Sequence, residues 1–291
     1  MINRQDVEKM FDELGIYPDS TVAVHTSLKS IGGIEGGAEG LLDYYTELLP
    51  EGLLIVPTHT WAVINRDNPV YDVRESVPNI GVFPQICAKE TFRRGNAIRS
   101  LHPTHSVAVF GKRAKDYVTG EENTRSRTPV DGVWGRFYDE DARVLLIGVG
   151  LERNTYMHSI DEEVNPFPEN PDLYFDAVTT DADGRRYELP HMNTSFYWSS
   201  VDFPLLGDYL DKKGVMSYST LGNARVACFD VRKGHDALIE LCQKAEDPLD
   251  FHSLVKAAEY PVLSIVEERI DNEIFRKSLT CIQIYIPALP A

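Results

Sequence analysis

The chain of 291 residues is 43% hydrophobic, with 17 Pro and 20 Gly spread along its length, so it holds enough apolar residues for a sizeable core and has no low-complexity linker or repeat. Its 45 acidic side chains outnumber the 29 basic ones, a formal net charge of −16 that argues against nucleic acid or an anionic membrane as partner and suits a cationic small molecule or simple solubility. No apolar run reaches the roughly 18 residues of a membrane helix. The four cysteines, Cys87, Cys228, Cys242 and Cys281, form neither a Cys-x-x-Cys pair nor a zinc spacing, so free thiols in a reducing cytoplasm are expected.

The charged N-terminus predicts an amphipathic helix running into Gly15, not a signal peptide. Thr21 to Thr26 is short, β-branched and apolar, and reads as a buried strand. Glycines 32, 33, 36 and 37 punctuate the loop after it. Ala38 to Leu49 has apolar residues at helical spacing, and Leu53 to Val56 is a second strand ended by Pro57. Strand, helix and strand in this order suggest a βαβ unit with parallel strands. Phe83 to Phe92 reads as a helix, Ser106 to Phe110 as a strand, and Arg143 to Gly148 as a central strand apolar on both faces. Asn154 or Thr155 can cap a helix running to about Val164, which Pro166, Pro168 and Pro171 stop.

Leu173 to Thr180 and Arg185 to Leu189 predict a hairpin around Asp183-Gly184. Helices over Phe203–Lys213 and Asp236–Ala245, a strand over Val226–Val231 and a final strand over Ile282–Ile286 complete the reading. The expected architecture is a three-layer α/β/α sandwich with a mixed, largely parallel central sheet. Residues 1–291 form one domain, with a small antiparallel insertion at about 165–200.

In such sheets ligands gather at the carboxyl ends of strands. The loop Thr26, Ser27, Leu28, Lys29, Ser30 follows one such end; it lacks the order of a Walker A or dinucleotide fingerprint, and an ordinary strand-to-helix connection is the plain alternative. Thr58-His59 follows another. After the Arg143–Gly148 strand, a helix starting near Thr155 puts His158 in its first turn. Asp161 and Glu162, three and four residues on, can lie beside the imidazole and favour its protonated form; a surface histidine with a solvated acidic neighbour is the alternative. His102-Pro103-Thr104-His105-Ser106 is a polar cluster before a strand. It reads as a ligand wall, a metal site with His158, or a loop whose hydroxyls satisfy local backbone; no carboxylate or Cys stands at ligand spacing, so no metal is expected. There is no Gly-x-Ser-x-Gly elbow.

Several segments in order resemble the aminoglycoside 3-N-acetyltransferase family: VAVHTSLKSIGGIEGGAEGLLD, EGLLIVPTHTW, the stretch ending HPTHSVAVFG, VLLIGVGLERNTYMH, and VDFPLLGDYLDKKGVMSYSTLGNARVACFD. Together they span most of residues 10–245. The resemblance implies acetyl-CoA as donor and direct transfer without a covalent acyl-enzyme. It implies that Thr26, Ser27, Leu28, Lys29, Ser30, Ile31 and Gly32 lie along the coenzyme, and that His102, Thr104, His105 and Ser106 border the same cleft. His158 resembles the catalytic base and Asp161 its partner. The family often has Glu at the latter position, which leaves Glu162 as an alternative partner or an acceptor ligand, with Asp202 a second acidic residue for a cationic acceptor. The implied protein is a cytoplasmic enzyme acetylating the 3-amino group of an aminoglycoside. Another amine acceptor, or a coenzyme A-binding protein without catalysis, are the competing readings.

Overall fold

A computed structural model describes residues 1–165, 170–192 and 196–258. Among these residues ten strands form in chain order: β1 (Thr21–Thr26), β2 (Leu53–Pro57), β3 (Val70–Asp72), β4 (Ala97–Arg99), β5 (Val107–Phe110), β6 (Arg143–Ile147), β7 (Tyr174–Thr180), β8 (Arg186–Met192), β9 (Met216–Leu221) and β10 (Ala224–Asp230). Seven make the main sheet in the order β4-β5-β2-β1-β6-β10-β9. The helices are α1 (Arg4–Leu14), α2 (Leu28–Ile31), α3 (Gly37–Leu48), α4 (Val82–Glu90), α5 (Ala114–Tyr117), α6 (Arg136–Asp139), α7 (Tyr156–Val164), α8 (Gly207–Lys212), α9 (Val231–Lys244) and α10 (Phe251–Ala257).

Alternation along the strands creates the layers. On β1, Ala23 joins one apolar cluster while Val22 and Val24 join the other. On β6, Val144 and Leu146 face the first cluster, Leu145 and Ile147 the second. The first cluster packs α5 to α10 on one face of the sheet, and the second packs α1, α3 and α4 on the opposite face. With both faces covered, each large apolar side chain fully removed from water contributes about 1.5–3 kcal/mol. The three-layer α/β/α arrangement is therefore present.

Parallel pairing is narrower than expected. β1 pairs in parallel with β2 and β6, in registers Thr21↔Leu53 and Val22↔Arg143, but β5, β4, β10 and β9 are added antiparallel on the two flanks. The central β1 thus has a parallel neighbour on each side, and its carboxyl end opens the crevice where ligands bind in α/β sheets. The expected hairpin forms as β7 and β8, from Tyr174↔Met192 to Thr180↔Arg186. β3 extends it in parallel to a three-stranded sheet with its own apolar cluster, including Tyr71 and Phe175.

Some boundaries moved. α9 starts at Val231, because Asp230 caps it by accepting from the Lys233 N–H. The stretch expected as one helix over 203–213 begins as a 3-10 turn, Ser200–Leu206, with Pro204 inside it. The expected strand Ile282–Ile286, Cys281, Pro166 and Pro168 lie outside the described residues. Among the described residues no helix is long and apolar enough to cross a membrane.

Candidate active site

A cavity of about 910 Å³ opens at the carboxyl ends of β1, β2 and β6. That is near the top of the roughly 300–1,000 Å³ range of small-molecule pockets. From the β1 side it is lined by His25, Thr26, Ser27, Leu28 and Lys29, from β2 by Pro57, His59 and Trp61, and from the β6 side by Val149, Glu152, Arg153, Thr155 and His158. His105, Arg127 and Phe196 close it from the loops.

The loop after β1 turns at once into the single turn α2, whose N-cap is Ser27; its hydroxyl accepts from the Ser30 N–H. Ser30 Oγ donates to Ser27 Oγ at 2.9 Å and to the Gly148 carbonyl at 3.3 Å, which fastens this loop to the end of β6. Gly148 has φ +63°, and a Cβ there would collide with the Ser30 side chain. Thr26, Ser27, Leu28 and Lys29 line the cavity. Ser30, Ile31 and Gly32 do not line it: Ser30 braces the loop, Ile31 is buried in the second core cluster, and Gly32 ends α2. Thr26 Oγ1 and His25 Nε2 are buried and have no hydrogen-bond partner among the described residues.

His105 is the one member of its expected cluster that lines the cavity. His102 is fully buried. Its Nδ1 accepts from the N–H groups of Thr104 and His105, so Nε2 carries the hydrogen and donates to the Ser126 carbonyl. Thr104 Oγ1 bridges His105 Nδ1 and His191 Nε2 at 2.9 and 2.8 Å, and Ser106 Oγ donates to the Thr58 carbonyl. The wall is a braced loop with one face on the ligand space. No group of three or more His, Cys, Asp or Glu among the described residues is arranged to hold a metal.

His158 sits in the first turn of α7, and its Nδ1 is buried without a hydrogen-bond partner among the described residues. Thr155 is the N-cap position but makes no side-chain cap. Its hydroxyl instead lies 3.2 Å from His59 Nε2, tying the helix start to the end of β2. The His158 ring stacks on Phe196 at 3.7 Å between centroids. Burial, reinforced by the charge of Arg127, lowers its pKa to about 3, so the imidazole is neutral at physiological pH.

Neither expected carboxylate touches that imidazole. Asp161 is fully buried and accepts from Asn165 Nδ2 at 3.0 Å and from the Trp198 N–H at 2.9 Å. Glu162 accepts from the N–H and hydroxyl of Thr128 at 2.9 and 3.0 Å. The physical reason is competition: buried backbone N–H groups on two neighbouring loops need acceptors, and these carboxylates supply them. The loops so held carry Phe196 and Arg127, so Asp161 and Glu162 position what surrounds His158. Glu162 and Asp202 do not line the cavity; Asp202 is half-buried in the 3-10 turn, where burial raises its pKa.

Phe196, Arg127 and Trp61 were not singled out in the sequence. They reach the cavity through loops far from His158 in the chain, and no local spacing marks them.

A family model described as aminoglycoside 3-N-acetyltransferase matches residues 23–243, well over half the chain. The chain belongs to this family. Aminoglycoside N(3)-acetyltransferase IV of Salmonella sp is 32% identical over 148 residues, which is 50% of this chain and 53% of that relative. The chain therefore spans about half the length of that curated relative. Among solved structures, aminoglycoside acetyltransferase AAC(3)-IVa, apoenzyme, superposes with a TM-score of 0.67 at 22% identity, covering 89% of this chain and 96% of that one. AAC-IIIb in its binary complex with CoASH gives 0.66 at 14% identity, covering 83% and 96%. At these identities the likeness is one of fold.

Proposed function

We propose that this protein transfers the acetyl group of acetyl-CoA directly to an amine, with His158 as general base. The observation that carries the reading is the position of His158: a neutral imidazole, lining a 910 Å³ cavity at the carboxyl ends of the parallel strands. A base must be unprotonated to accept a proton, and burial keeps this one so.

The cavity suits coenzyme A. Lys29 and Arg153 offer cations for its phosphates, Ser27 and the buried Thr26 hydroxyl, unpartnered among the described residues, offer polar contacts, and Trp61, 50% exposed, offers an aromatic face. The coenzyme brings the activated acetyl thioester. The chain's own work is to hold the amine near His158, remove its proton as nitrogen attacks, and limit water through Phe196 and Val149. A positioned base of this kind supplies about 10²–10⁴-fold. The CoASH complex of a protein with the same fold supports the coenzyme assignment.

Family membership points to the 3-amino group of an aminoglycoside as the position acetylated. A second reading keeps the transfer but changes the acceptor to another amine; with Lys29 and Arg153 given to the coenzyme, the described lining leaves the cation Arg127 and the carboxylate Glu152 for the acceptor. The test is release of CoA thiol from acetyl-CoA with a panel of amines that includes aminoglycosides, read beside antibiotic resistance of expressing cells. Thiol release with any panel amine above the hydrolysis background supports transfer, and resistance identifies the aminoglycoside. Acetyl-CoA binding without release for any amine supports a binding protein instead.

A further inference from the structure

We infer that His105, Thr104 and His191 form a proton relay that carries the first proton of the acceptor's ammonium out of the cavity, with His105 the group that takes it from the substrate. The inference rests on the transferase reading above and adds a route that His158 alone does not supply.

An aliphatic amine is largely an ammonium at neutral pH. Two protons must therefore leave its nitrogen: one before a lone pair exists, the second as the nitrogen attacks. His158 takes the second, which then leaves on the CoA thiol. The first needs another acceptor. His105 lines the same cavity. Its Nδ1 lies 2.9 Å from Thr104 Oγ1, which lies 2.8 Å from His191 Nε2. A hydroxyl has one hydrogen, so it donates to one of these imidazoles and accepts from the other. Two arrangements of the row follow, and shifting the hydrogens along it interconverts them. His102 is the contrast: its Nδ1 accepts from two backbone N–H groups and its Nε2 donates to a carbonyl, which locks one tautomer.

The proton from the ammonium binds His105 Nε2, and the Nδ1 hydrogen of that ring passes to Thr104. The hydroxyl hydrogen passes to His191 Nε2, and the His191 Nδ1 hydrogen is released. Each ring gains one proton and loses one, so no imidazolium stays in the interior. Burial disfavours the charged form of both rings, and the groups around them are basic: His59, His102, His191 and Arg127 about His105, and His102 and Arg127 about His191. A neutral relay is the kind such surroundings permit. Beyond His191 a second cavity of about 10 Å³, the room of about one water, is lined by His191 and Glu121 with the half-buried Glu122, Thr124 and Tyr187. The Glu121 carboxylate there receives the proton. Burial raises its pKa to about 7, with Arg136, Asp131 and Glu122 the charges around it, so both of its forms are populated near neutral pH.

The test is kcat/KM for CoA thiol release at pH 7 and pH 9.5, with the fastest acceptor of the amine panel, in T104V, T104S and E121Q. At pH 7, T104V and E121Q should each be at least about tenfold slower than the unaltered protein. At pH 9.5, where far more of the amine has already shed that proton, the deficit should shrink to under about threefold. T104S keeps the hydroxyl and should recover most of the rate at pH 7. Thermal midpoints check the fold, and E121Q reads the far end of the relay should T104V not fold. A deficit of the same size at both pH values, T104S as slow as T104V, or E121Q at the unaltered rate at pH 7 overturns the inference and leaves the transferase reading standing. Absence of thiol release by the unaltered protein with every amine overturns both.

Discussion

The imidazole of His158 and the ring of Phe196 are stacked 3.7 Å apart with their planes 12° from parallel. Phe196 covers one face of the proposed base while Phe203 leans on it at 4.9 Å, leaving an apolar sleeve around a polar ring. Phe196→Ala should admit water to that face. The His158 pKa, held near 3, then rises toward its ordinary 6.5. Since only the neutral ring accepts a proton, the acid limb of the kcat/KM profile should move to higher pH, toward about pH 6. A pH–rate profile of the variant checks this, and an unmoved acid limb counts against the sleeve.

Asp161 should prove a scaffold residue. Asp161→Asn sets an amide N–H2 against donors from Asn165 and Trp198 and should destabilise the fold by about 1.5–3 kcal/mol, the worth of hydrogen bonds to a charged group. Urea denaturation measures it. If stability is unchanged while kcat falls a hundredfold, the carboxylate acts on His158 directly and its placement here is wrong.

The framework of the site was legible in the sequence because it depends on local patterns. β1 was read at its observed bounds, Thr21–Thr26, and the predicted helix to Val164 ends there, since β-branched runs and the position of His158 on a helix are short-range features. β9 was not, because Met216–Leu221 is a largely exposed edge strand without a buried run, and the three-residue β3 and β4 are too short to carry a period. The surroundings of His158 are not legible for a related reason. Spacing of three and four residues shows that Asp161 and Glu162 can approach the ring, but the donors that claim them, the Trp198 and Thr128 N–H groups, come from distant loops. Arg127 and Phe196 reach the cavity by the same long-range packing.

Gly148 should be intolerant of a side chain. With φ +63° and Ser30 against it, Gly148→Ala forces apart the end of β6 and the Ser27–Ser30 turn. The expected outcome is a loss of about 1–3 kcal/mol in stability and a several-fold higher KM for acetyl-CoA. Steady-state kinetics with acetyl-CoA varied will show this. A KM equal to that of the unaltered protein would detach this turn from coenzyme binding.

Glu121 should make stability fall with pH. It is buried, with Oε1 accepting from the Val133 N–H and Oε2 without a partner among the described residues. Burial raises its pKa from 4.5 to about 7. Between those values the folded chain keeps a proton that the unfolded chain has released. The unfolded state then binds fewer protons, so stability declines as pH rises through the window, by up to a few kcal/mol. Glu121→Gln should flatten that part of the curve, read by urea melts at pH 5 and pH 7.5. The same slope in the variant assigns the effect to another group.

As the proposed base of an acetyl transfer, His158 should be needed for turnover and not for the fold. His158→Ala, assayed for CoA thiol release with the best acceptor of the amine panel, measures it most directly. The expected kcat is at least about 10²-fold lower, with acetyl-CoA affinity and thermal midpoint close to those of the unaltered protein. Turnover at the unaltered rate in a folded, coenzyme-binding variant would contradict it.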